Sequence, residues 1–155
     1  PAGTRKSLLG VFDKAFVPKM AEALKMNGAT STMVVSSHEG MDEISISDVT
    51  YASQLQNGKV SEFIIDPQEY GIKRVPLEAI MGGEAKENAH ILLKIFDSTA
   101  TDAQRDIVLI NTASALMVDG LARDIQDGLE MAREALANHR AKKKLKQIIE
   151  ISNKL

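Results

Sequence analysis

Ser7-Leu8-Leu9-Gly10-Val11-Phe12 and Thr30-Ser31-Thr32-Met33-Val34-Val35-Ser36-Ser37 are the two stretches whose reading decides the fold. Both are short apolar or β-branched runs bounded by turn residues, the pattern of buried strands. Between them Asp13 offers a helix cap, and Phe16, Met20, Ala23 and Leu24 recur at helical spacing. Pro18 falls in the first turn, where its missing N–H does little harm, and Gly28 supplies a C-terminal stop. Strand, helix, strand at this length is a βαβ unit, so the two strands are expected to be parallel neighbours.

Downstream, the turn His38-Glu39-Gly40-Met41-Asp42-Glu43 leads into Ile44 and Ile46, which alternate with Ser45 and Ser47 as in a half-exposed strand. Val49 to Leu55 and Lys59 to Ile65 flank Gln56-Asn57-Gly58, and Asn-Gly between β-prone segments signals a hairpin. Asp66 to Gly71 is a loop or helical turn. From Gly83 onward the sequence reads as helices. Ala85, Ala89, Leu92, Leu93 and Phe96 form one apolar stripe, and Ile125, Leu129, Ala132 and Leu136 another. Leu145, Ile148 and Ile149 begin the last, with the basic run Arg140, Lys142, Lys143, Lys144 and Lys146 on its solvated face. Thr101 to Asp119 is apolar nearly all round, which predicts a helix buried on several sides. The fold class is therefore α/β: a partial, mostly parallel sheet with flanking helices and a β-hairpin. Two parallel strands and a hairpin are few for so many helices, so further strands are expected before residue 1. Proline in place of methionine at position 1 points the same way.

Composition bounds the function. The 155 residues are 44% hydrophobic and 26% charged, as in a globular protein with a real core. Aromatic residues make up only 4%, so the core must be aliphatic. A net charge of -2 gives no global field for nucleic acid. Cysteine is absent, which excludes disulfides, thiolate catalysis and Cys-ligated zinc. No apolar stretch approaches the roughly 18 residues of a membrane span, and residues 1–30 show no signal-peptide pattern. A cytoplasmic location is the expectation.

Asp42-Glu43 is the sharpest chemical signal. Two adjacent carboxylates sit in a glycine turn just beyond a buried strand, and in open α/β sheets ligands bind beyond the carboxyl ends of strands. Such hard oxygen ligands suit Mg²⁺, which takes one or two carboxylates together with substrate phosphates; a solvated acidic turn is the alternative. His38 lies in the same turn, where an exposed histidine is the ordinary reading, and His90 and His139 lack partners at ligand spacing. Met81-Gly82-Gly83-Glu84 precedes a helix, and Glu84 is expected to serve its N-terminus rather than leave it to an anion. There is no Walker A or G-x-G-x-x-G pattern.

The turn and its surroundings resemble a known family. Val34 to Ser45 resembles the Val-His-Gly-x-x-Gly-Leu-Asp-Glu-Ile stretch of anthranilate phosphoribosyltransferases. Pro1-Ala2-Gly3 with Leu9-Gly10-Val11-Phe12-Asp13, and Met81-Gly82-Gly83 with Glu87-Asn88-Ala89, resemble further segments of that family in the same order. So do Leu109 to Leu116 and Gly128 to Ala135. The resemblance implies the C-terminal part of a nucleoside phosphorylase/phosphoribosyltransferase-like α/β domain over residues 1–155. It implies transfer of phosphoribose from phosphoribosyl pyrophosphate to the anthranilate amine in tryptophan biosynthesis. Mg²⁺ would be held by Asp42 and Glu43.

Ser36-Ser37 stands where the family has His-Gly, and His38 falls on a variable position, so no role passes to it. The family's N-terminal helical domain, its glycine-rich phosphate loop and its anthranilate-contacting arginine would lie upstream. The chain alone is accordingly expected to be inactive. It would be completed by a missing N-terminal half or would self-associate through an exposed sheet edge. One subunit of a split transferase and a noncatalytic binding module are the other readings.

Overall fold

The computed structural model describes residues 3–154; Pro1 and Ala2, which the resemblance included, lie outside them. Four strands form one sheet in the order β1 (Lys6–Gly10), β2 (Ser31–Ser37), β3 (Thr50–Gln56), β4 (Lys59–Ile65). β1 and β2 are parallel, with Gly10 opposite Val35. β2–β3 and β3–β4 are antiparallel, so the sheet is mixed. The crossover between the parallel strands is α1 (Val17–Met26), preceded by a 3₁₀ turn over Lys14–Phe16 that Asp13 caps through the Ala15 N–H (2.8 Å). Gly28 ends the crossover at φ +85°, as its position suggested. Asn57 and Gly58 both take positive φ (51° and 76°), the two-residue turn whose twist matches a hairpin.

Period-two alternation in β2 divides its side chains between two layers. Val34 meets Val17 and Ala21 of α1 on one face. Met33 and Val35 join the larger core on the other, against α3 (Asp102–Asp119) and α4 (Ile125–Ala137). Leu109, Ile110, Ala113 and Met117 of α3 are buried there, as is Leu129 of α4. Thr101 and Gln104 form a reciprocal capping box at the start of α3. Helices α3 and α4 approach so closely that a Cβ on Gly128 would lie 2.5 Å from the Ala113 carbonyl oxygen. No helix is long and apolar enough to cross a membrane among the described residues.

The structure corrects several local expectations. Ile44 and Ile46 belong to no strand. Residues 38–49 form a loop in which Ile44, Ser45 and Ile46 are all buried, because Ser45 is engaged on every side. Its N–H donates to Thr50 Oγ1 (3.0 Å), its hydroxyl donates to the Glu39 carboxylate, and it accepts from the Ser47 N–H (2.9 Å). In α2 (Ala85–Phe96) the buried side chain is Ile95, while Leu92 and Leu93 of the predicted stripe are exposed. In α5 (Arg140–Ser152) Ile148 and Ile149 are 56% and 49% exposed and do not face a core. Helical periodicity identified both helices but could not say what covers their apolar faces.

Arg74 fastens the loop to the end of the sheet, pairing with Asp48 and Asp66 (3.0 Å each). The Gln68 N–H, and then Arg74, hold the Asp66 carboxyl below its ordinary value. A carboxyl depressed by folding stabilises the fold above its unfolded pKa and loses that contribution as pH falls through its folded value. Asp66→Asn should therefore lower the urea midpoint at pH 7, with the difference from the native chain shrinking below about pH 4. At the helix crossing, Gly128→Ala gains about 1 kcal/mol in helix propensity. It must nonetheless push α3 and α4 apart, and urea unfolding should show a net loss of about 1–3 kcal/mol.

Candidate metal-binding cleft

Asp42 and Glu43 lie on the loop after β2, beyond the carboxyl ends of the two parallel strands. The start of that loop is closed by backbone and hydroxyl together. Ser37 N–H donates to the Met41 carbonyl (2.9 Å), and the Met41 N–H returns to Ser37 Oγ (2.8 Å). Ser37 thus ties the turn with its hydroxyl. Ser36 is fully buried, and its hydroxyl has no hydrogen-bond partner among the described residues.

Two contacts from distant parts of the chain set the acidic pair in place. Gly10, the last residue of β1, lies directly beneath the Asp42 peptide, where a Cβ would fall 1.5 Å from its carbonyl oxygen. A glycine inside a strand run often marks such a close backbone approach. From the other side Asn111 of α3 grips the residue after Glu43. Its Oδ1 accepts from the Ile44 N–H (3.0 Å), and its Nδ2 donates to the Ile44 carbonyl (2.8 Å) and the Ile107 carbonyl (2.9 Å). The sequence reading singled out neither Gly10 nor Asn111 for the site. The available signal was a glycine within one apolar run and a lone amide within another.

The resulting cleft has a volume of about 360 Å³ and is lined by Leu8, Gly10 and Val35 of the strands, Asp42 and Glu43, and Ile107, Val108, Asn111 and Thr112 of α3. Both carboxylate residues are exposed. A neighbouring cleft of about 410 Å³ shares Glu43, Ile107 and Val108 and extends to Ile80, Met81 and α2. Among the described residues no group of three or more His, Cys, Asp or Glu is placed to hold a metal ion. The donor set is thus two adjacent, accessible carboxylates with apolar walls. It fits an Mg²⁺ ion that keeps several waters and takes remaining oxygens from a phosphorylated ligand better than it fits a closed protein cage.

The other candidates lie apart. His38 is exposed beside Tyr51 (Nδ1 to Oη 3.3 Å), with the Lys14 ammonium over the Tyr51 ring at 4.7 Å. His90 is exposed on α2, and His139 precedes α5 without a side-chain cap. Glu84 occupies the N-cap of α2 but makes no side-chain cap bond there. Asn88 reaches back instead, accepting from the Gly83 N–H and donating to the Gly83 carbonyl (2.8 Å each). The basic run of α5 is tied in part to acidic neighbours, Arg140 to Glu134 (3.3 Å) and Lys142 to Asp97.

Residues 1–142 match the sequence model of a glycosyl transferase family, α/β domain. The chain belongs to that family. Among its curated relatives is the anthranilate phosphoribosyltransferase of Xanthobacter autotrophicus, 39% identical over 155 residues, 100% of this chain and 45% of the relative. That of Methanobrevibacter smithii is 39% identical over 153 residues, 99% of this chain and 45% of the relative. The family member thus spans less than half the length of these relatives. Among solved structures it is similar to anthranilate phosphoribosyltransferase from Thermus thermophilus (TM-score 0.81, 30% identity, 89% of this chain and 40% of that one). It also shares its fold with anthranilate phosphoribosyltransferase from Saccharomyces cerevisiae in complex with PRPP and Mg (TM-score 0.87, 24% identity, 97% of this chain and 43% of that one).

The Gly10 contact is directly testable. Gly10→Ala places a methyl group inside the Asp42 peptide. Urea unfolding should show a loss of about 3 kcal/mol or more, at or beyond the upper end of overpacking costs.

Proposed function

We propose that this chain is the C-terminal part of an anthranilate phosphoribosyltransferase catalytic domain. The observation that carries this reading is the similarity to enzymes of that name, at 39% identity across the whole of this chain. The reaction joins the anthranilate nitrogen to C1 of phosphoribosyl pyrophosphate. The C1–oxygen bond to pyrophosphate breaks, and the amine gives up a proton. Asp42 and Glu43 would hold Mg²⁺, which when bound neutralises charge on the departing pyrophosphate. Their placement in an open cleft, backed by apolar residues of β1, β2 and α3, leaves room for a phosphorylated ligand against them.

The relatives are more than twice as long, which supports a working enzyme containing a further portion with the glycine-rich phosphate loop. The outer edge of β1 has no neighbouring strand among the described residues and is the natural place for that portion to join the sheet. Joining there by a longer chain or a separate subunit gives the same site. A noncatalytic module has less support, because both carboxylates stay accessible and positioned. This cytoplasmic transferase reading makes the isolated 155 residues inactive, since proximity and phosphate binding would be incomplete.

Production of the chain with the N-terminal half of the Xanthobacter relative tests this. Loss of anthranilate fluorescence with phosphoribosyl pyrophosphate and Mg²⁺ should require both pieces. Turnover by the chain alone, or none by a purified complex, would count against it. Within an active complex, Asp42→Asn or Glu43→Gln should reduce turnover about 10²–10³-fold and raise the Mg²⁺ requirement.

A further inference from the structure

We infer that Asn111 is a positioning residue for the Asp42–Glu43 metal site, acting through the backbone that follows Glu43. This rests on the reading of that pair as the metal ligands. Both hydrogen-bonding groups of the Ile44 main chain are held by the one amide, at 3.0 and 2.8 Å. The amide's second N–H is fixed on the Ile107 carbonyl at 2.9 Å, so its orientation is set by its own helix. Ile44 is fully buried, which prevents the loop from sliding outward around these bonds. The torsions that aim Glu43 therefore cannot turn without breaking the Asn111 bonds. On the opposite side Gly10 blocks movement of the Asp42 peptide toward β1.

Asn111 also lines the cleft that the two carboxylates face, so the holding group and the ligands share one wall of the site. A hydrogen-bonded support of this kind typically changes metal affinity about 10–100-fold when removed. A purely structural role for Asn111, tethering α3 to the loop, would alter stability but not the affinity of the chain once folded. The two roles therefore separate in a binding measurement.

The test is Mn²⁺ binding, with inorganic pyrophosphate present, to the purified complex of this chain with the N-terminal half of the Xanthobacter relative, read by water proton relaxation, together with hydrogen exchange of the Ile44 amide. The variants are Glu43→Gln, Asn111→Leu and the pair combined, each at a temperature where circular dichroism shows it folded. Asn111→Leu keeps the same branched skeleton but has no amide. Where it does not fold, Asn111→Gln, with its amide one methylene further out, takes its place. The expected result is about a tenfold or greater loss of Mn²⁺ affinity, with faster Ile44 exchange. In the Glu43→Gln background the same change should have little further effect, because residues acting as one unit are not additive. Affinity retained in a folded Asn111 variant while Glu43→Gln loses it overturns the positioning role alone. So does a fully additive loss in the double variant. Mn²⁺ binding indifferent to Glu43→Gln, or absent from the native complex, overturns the metal reading and this inference with it.

Discussion

The acidic pair depends on a hydrogen-bonded ring between one side-chain amide and one buried peptide residue. A loop as long as that between β2 and β3 would ordinarily be a mobile surface feature. Here it is anchored at both ends by turn bonds, in its middle by Ser45, and beside the carboxylates by Asn111. The apolar side chains Ile44 and Ile46 point into the core, and that burial turns the neighbouring acids outward. A loop whose hydrophobic residues are sunk into a rigid α/β framework can present charged groups with the constancy of a strand. The polar backbone it buries is satisfied by Asn111 and Thr50, as burial requires.

Much of this architecture was legible from local chemistry. The βαβ unit followed from two apolar runs around a capped helix, and the hairpin from Asn57-Gly58. Helix α3 followed from a run that is apolar nearly all round, and α4 from an apolar stripe at helical spacing. Three readings failed for a common reason. Alternation at Ile44 to Ser47 looks like a strand because the pattern cannot register that Ser45 is buried by hydrogen bonds. The apolar residues of α2 and α5 obey helical spacing, yet spacing carries no information about a partner surface. Asp42 and Glu43 were conspicuous as a pair, whereas Gly10 and Asn111 are ordinary residues whose importance lies wholly in what folding brings against them.

The two serines at positions 36 and 37, where the resemblance implies His-Gly, differ in what they do for the turn. Glycine at the second position would leave the Met41 N–H to find another partner; serine supplies one from its own side chain. The first serine is different, since its hydroxyl is buried without a bond and contributes nothing visible to holding the loop. The turn is thus tied by the hydroxyl of Ser37 and not by that of Ser36.

The link between Ile44 and Asn111 also has a kinetic meaning. It joins residues 67 apart in the chain, and closing a loop of that length costs about 4 kcal/mol in chain entropy, apart from a constant. The β3–β4 hairpin and the helical turns close over short distances and can form early, but this contact cannot precede the docking of α3 against the sheet. The acidic pair is therefore among the last parts of the domain to reach its final arrangement. A nascent or partly unfolded chain carries both carboxylates but not the site.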